Sequence, residues 1–250
     1  MIFSFLLLVF APNFAQAYIP PSFFIYTKIA EQKEQSPNPS LTLLVSRPAA
    51  GGTEEALGTI TLPTWPSSEG NWPTLSLLFS SNVNELFSAV EKFGLVIPRE
   101  QDLLRVSKEQ AAAMKDPPRP FYKSDKNMAL KRQRQNYAWV HRGSEDSKKS
   151  IWIEKDTFLP LKISAPCPEK ATELPWAKSG DNLCDIEFRN TWSLRKGSAP
   201  VGAKIILSKD GQPLLYFSFE KISYTKSTTN TVAEFKIPDD IREIAQILLH

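Results

Sequence analysis

Histidine is nearly absent. The chain of 250 residues holds two, His141 and His250, and two cysteines, Cys167 and Cys184. A His/Cys metal cluster cannot be drawn from that supply. A Ser-His-Asp arrangement has only His141 to use, and that residue is expected at a strand end, on the surface or half-buried. No G-x-S-x-G, P-loop or H-E-x-x-H is present. The ten glycines include no G-x-G-x-x-G. A glycosidase needs two carboxyl groups at a set separation. Glu154, Asp156, Glu187 and Glu220 are the candidates, and each reads as a solvated outer-face or turn residue. Ser-Lys catalysis has no motif. The expectation is a non-catalytic chain with no metal and no cofactor.

Charge of one sign is also scarce. Thirty Lys and Arg stand against 27 Asp and Glu, a formal net charge of +3. No dominant positive field emerges, which argues against nucleic acid as a partner. The local run Lys131-Arg132-Gln133-Arg134 is either a solvated face or a contact with an anionic surface, within a connection over the middle of the chain.

Long apolar runs are missing too. Ile2 to Phe10 falls short of the ~20 residues that span a bilayer. Ala15-Gln16-Ala17 follows it as an A-x-A cleavage site. Residues 1–17 are therefore expected to be a cleaved signal peptide and 18–250 a single exported domain. No Lys or Arg precedes the apolar run, and no Cys follows the cleavage site to carry a lipid. Two cysteines in an exported chain suggest one disulfide, Cys167 to Cys184, around a polar excursion. By loop entropy it would stabilise by about 3 kcal/mol. The alternative, a redox pair, lacks the C-x-x-C spacing.

What the chain does have is pattern. Pro20-Pro21-Ser22 leads into a segment with Phe23, Tyr26, Ile29 and Ala30 at helical spacing. Leu41–Arg47 and Leu57–Leu62 read as strands joined through Gly51-Gly52, and Leu75–Phe79 as a short strand. Val83, Leu86, Phe87, Val90 and Phe93 make one helical face, opened by Ser81-Asn82 and ended by Gly94. Arg99–Lys115 has further helical character. From Asn136 strands dominate: Tyr137–His141, Cys184–Leu194, Ala203–Ser208, Leu214–Tyr224 and Val232–Ile237, then a short C-terminal helix. Ile151–Ile153 and Leu161–Ile163 flank the turn Lys155-Asp156-Thr157 as a hairpin. In Cys184–Leu194, Ile186, Phe188, Trp192 and Leu194 share one face with Asn190 as its only polar member, and Asp185, Glu187, Arg189, Thr191 and Ser193 take the other. One apolar and one wet face mean an antiparallel sheet covered on one side.

The strands carry Trp139, Trp152, Phe188, Trp192, Phe217 and Phe219. Aromatics in strands are usually packed core. They would equally line a cavity for an apolar ligand, since such pockets are mostly apolar.

Trp152-Ile153-Glu154-Lys155 followed by Leu159-Pro160-Leu161-Lys162, with Phe235-Lys236-Ile237-Pro238-Asp239 near the end, resembles the LolA-like family of outer-membrane lipoprotein-sorting carriers. YIPPSFFIYTKIAE looks like the first helix of its exported relatives. The resemblance implies an α+β fold: a strongly curved antiparallel sheet, an unclosed barrel, with helices across the concave face. It implies a periplasmic, monomeric carrier or binder of lipid or lipoprotein acyl chains, with envelope membrane proteins as further partners. The rival expectation is a structural or regulatory protein-interaction module on the same fold with a filled core. The middle, Trp65 to Gln135, matches no family motif.

Overall fold

Two prolines set the start of the first helix. Pro21 has no N–H to lose, and its carbonyl accepts from Phe24 and Ile25 at 3.1 and 3.3 Å. Helix α1, Ser22–Glu34, follows. Its buried residues, Ser22, Ile25, Tyr26, Ile29, Ala30 and Lys33, recur at spacings of three and one, which is one helical stripe. The computed structural model describes residues 19–34, 40–62, 76–78, 80–100, 125–144, 147–167, 183–189 and 204–223. The expected signal peptide, the helical stretch beyond Glu100, Trp192, the last strand and the C-terminal helix lie outside the described residues.

Helix α2, Val83–Lys92, begins where expected. Asn82 caps it by accepting from the Asn84 N–H at 2.9 Å. Gly94 ends it at φ 88°, a left-handed conformation that suits glycine. The apolar run expected as a strand over Leu75–Phe79 is instead helical at 76–78, with Leu77 and Leu78 buried. A short apolar run has no period to tell the two states apart.

Among the described residues, nine strands form a single antiparallel sheet in the order β2-β1-β9-β8-β7-β6-β5-β4-β3. They are β1 Ser40–Pro48, β2 Glu54–Leu62, β3 Met128–Gln133, β4 Asn136–Arg142, β5 Ser150–Glu154, β6 Pro160–Pro166, β7 Leu183–Arg189, β8 Lys204–Lys209 and β9 Gln212–Ser223. From β3 to β9 the chain meanders, each strand pairing with the next. The N-terminal hairpin β1–β2 is then added beside β9. Among the described residues no ladder joins the edges β2 and β3, so the curved sheet stays unclosed. Register shifts at Thr42/Leu43, Val45/Ser46, Trp152/Ile153 and Leu207/Ser208 mark bulges, which bend strands and raise their twist.

Strand β3 corrects the expectation of a mid-chain connection. Met128 and Leu130 alternate with Ala129 and Lys131, and the strand pairs with β4 from Met128↔His141 to Gln133↔Asn136. The basic residues hid a two-residue period. Arg134 and Gln135 make the turn, with Arg134 at φ 57°.

The cross-strand register sorts every residue to a face. On the side that meets the helices, Leu130, Trp139, Ile153, Ile151, Ile163, Ile186, Leu207, Leu215, Phe217 and Val45 belong to one apolar cluster. Ile25, Tyr26 and Ile29 of α1 and Leu86 and Val90 of α2 complete it. Among the described residues, no helix is long and apolar enough to cross a membrane.

Candidate functional site

Four of the six aromatics singled out in the sequence share the helix-facing side. Trp139, Phe188 and Phe217 are 5%, 9% and 1% exposed, and Phe219 packs against the same cluster half-buried. Register explains this: Phe217 sits opposite both Ile205 and Val45, and Phe188 opposite Ile205. Trp139 carries its indole N–H buried, with no hydrogen-bond partner among the described residues. Such a group usually finds an acceptor, and leaving it unpaired costs about 1–3 kcal/mol.

Trp152 is the exception. It pairs with Val140 and Lys162, one position out of phase with Ile151 and Ile153, and stands on the opposite face. There its N–H donates to Ser150 Oγ at 3.2 Å, and Lys131 Nζ lies 6.0 Å from the ring centroid. Its run of three apolar neighbours gave no sign of which face each would take. Trp192 lies outside the described residues.

The opposite face is less wet than alternation suggested. Asp185 is buried at 6% exposure, accepting from Lys162 Nζ at 2.7 Å and from Ser164 Oγ at 2.6 Å. Glu154, read as a solvated turn residue, is 7% exposed and accepts from the Asn136 amide and the Thr157 hydroxyl. Those two bonds tie the β5–β6 turn to the start of β4. Glu54 accepts from Lys204 and Ser46, and the Lys204 hydrogen bond holds its carboxyl below the usual range.

His141 is likewise not a surface group. It is fully buried, and both ring nitrogens are engaged. The Val96 carbonyl, 3.1 Å from Nε2, can only accept, so Nε2 carries the proton. Nδ1 then accepts from the Tyr26 hydroxyl at 3.1 Å. Burial lowers the His141 pKa to about 4, against a raising influence of the Asp125 charge. Burial, with Asp125 second, pushes Tyr26 up. Asp125 itself accepts from Ser22 Oγ at 2.7 Å and from the Asn127 N–H at 2.9 Å. Ser22 thus serves Asp125 and His141 serves Tyr26, and the second pair tethers α1 to β4. Lys33, at the end of α1, is 8% exposed, and burial lowers its pKa to about 7.

Cys167 and Cys184 are joined, with Cα atoms 4.8 Å apart. Ala165 pairs with Cys184, so the bond clasps the β6–β7 ladder at its end. Among the described residues no group of three or more His, Cys, Asp or Glu is placed to hold a metal.

Two clefts open on described residues. One, about 380 Å³, lies between the β3–β4 turn at 133–136, Leu161 of β6, and Glu187, Phe188 and Arg189 of β7. The other, about 410 Å³, lies where Arg47 to Ala50 and Glu55 meet Pro213 and Leu214. The first was missed in the sequence because its parts come from four strands, β3, β4, β6 and β7. The signal that could have exposed it is the turn at Arg134-Gln135 between two alternating runs.

No protein-family model and no curated protein matches the chain. The crystal structure of a LolA superfamily protein from Nitrosomonas europaea aligns over 89% of this chain and 97% of its own, at 12% identity and a TM-score of 0.35.

Proposed function

We propose that the chain is a non-catalytic periplasmic carrier or binder of lipid or lipoprotein acyl chains, held between the sheet and its helices. One arrangement supports the reading: a broad, continuous apolar sheet face against which, among the described residues, α1 and α2 pack. Nine strands span roughly 38 Å across. Helix α1, with 13 residues, is about 20 Å long, and α2, with 10, about 15 Å. Among the described residues, α1 and α2 meet the sheet through side chains, whereas every strand is paired through its backbone. A helix can therefore lift without breaking a ladder, and each methylene then buried is worth about 0.8 kcal/mol. The polar tether Tyr26–His141 would set the resting position of α1. The hairpin residues that resemble the LolA-like carriers point the same way, and envelope membrane proteins would load and unload the cargo.

One observation favours a second reading. Trp139 and Phe217 are nearly fully buried, which fits a filled interior and a protein-interaction module. Mass spectrometry of organic extracts from gently purified protein separates the two. A bound amphiphile, and saturable uptake of an added fatty acid after delipidation, are expected. Protein that carries none and takes up none overturns the carrier reading.

A further inference from the structure

We propose that the cleft at the β3–β4 turn is an oxyanion site, which takes the phosphate or carboxylate headgroup of an amphiphile. The chain half of this inference rests on the carrier reading above, and the anion half stands on the cleft alone.

The charge is the first ground. Arg134 and Arg189 both face one carboxylate oxygen, Glu187 Oε2, at 3.7 and 3.2 Å. Two guanidinium groups against one carboxylate leave a positive charge in the cleft. Each fork of N–H donors matches two oxygens of a phosphate or carboxylate, so an incoming anion can bridge the pair. The turn itself does not call for arginine. Arg134 sits at φ 57°, where glycine, asparagine or aspartate costs least.

The walls are the second ground. Gln133 contributes a side-chain amide whose Oε1 is buried without a partner among the described residues. Amide orientation is assigned by hydrogen-bond fit, and either end serves a headgroup: the oxygen accepts from a hydroxyl, the nitrogen donates to an oxyanion. Phe188 is shared. It forms a wall of the cleft and belongs to the apolar cluster under the helices. Leu161 stands beside it in the wall. A headgroup held by the arginines would have its chain start against Phe188, at the border of the helix-facing side. The volume, about 380 Å³, lies within the range of small-ligand sites.

The test is calorimetric titration of the full delipidated protein with dodecyl phosphate, dodecanoate, dodecanol and inorganic phosphate. A charged dodecyl probe is expected to bind at least tenfold more tightly than dodecanol. The two charged probes tell a phosphate site from a carboxylate site by which binds more tightly. The double variant R134Q/R189Q should lose at least tenfold for the preferred anion and leave dodecanol unchanged. Its melting temperature should hold, because the two side chains are 64% and 45% exposed. E187Q removes the competing carboxylate and should tighten anion binding severalfold. Equal affinity for charged and neutral probes, or an indifferent double variant, overturns the headgroup site and leaves the carrier reading intact. Arginine-dependent binding of inorganic phosphate without uptake of any dodecyl probe supports the anion site and defeats the carrier reading. Binding of no probe overturns both.

Discussion

Both faces of the sheet bury apolar side chains, Trp139 and Ile153 on the helix-facing side and Val140 and Ile206 on the other, and the second face buries strand carboxylates as well. The helix-facing side packs Ile153, Ile186 and Phe217, which need no polar partner, around Trp139. The other side buries Asp185, Ser164 and Glu154, and each has a named partner within the sheet. Burial alone therefore does not mark the ligand side. An apolar face can exchange one apolar partner for another at small cost, because its contacts are non-directional. A face of buried hydrogen bonds cannot, since each lost partner leaves an unsatisfied group. If a cargo enters, it enters on the first face.

Adjacent residues of β5 break the comparison most sharply. Ile153→Ala should cost about 4 kcal/mol, the loss of a buried side chain plus a cavity. Trp152→Ala, one residue away but on the other face, should cost about 1 kcal/mol despite removing a larger group. Urea denaturation measures both, and equal costs would refute the assigned register.

His141 gives the next effect, and its sign follows from its lowered pKa. The unfolded ring, with an ordinary pKa near 6.5, binds more protons than the folded one down to about pH 4. Stability is thus full above about pH 6.5 and falls as pH drops towards 4, by roughly 3 kcal/mol from this residue. His141→Gln should flatten that part of the profile. A wild-type profile no steeper than that of the variant would contradict the buried neutral ring. Asp185→Ala sharpens the picture of the opposite face. It strips Lys162 and Ser164 of their acceptor and should cost about 2 kcal/mol. If replacing Lys162, Ser164 and Asp185 together by apolar residues restores most of it, the penalty lay in unpaired groups.

The sheet was largely legible because period-two alternation survives wherever one face is apolar. The hairpin at Ser150–Pro166, the β1–β2 pair and α2 all announce themselves through turn residues, caps and spacing. Strand β3 did not, because Lys131 and Arg132 outweigh Met128 and Leu130 in a short run. Trp152 misled because Ile-Trp-Ile has no polar member to reveal its phase. Of the candidate sites, the aromatic side was foreseeable in part, whereas the cleft and the Tyr26–His141 tether were not. The partners in those pairs and clusters are tens of residues apart, and nothing local encodes their meeting: 115 positions separate Tyr26 from His141.

By itself, the sequence determined the kind of elements, the places where most of them begin and end, and the scarcity of histidine and cysteine. These are matters of local propensity, capping and supply, which a chain carries along its length. The tertiary structure decided which strand is an edge, which face Trp152 takes, and that Arg134 and Arg189 converge on Glu187. Those outcomes depend on long-range register and on the curvature that bulges impose, and both exist only once distant strands have paired.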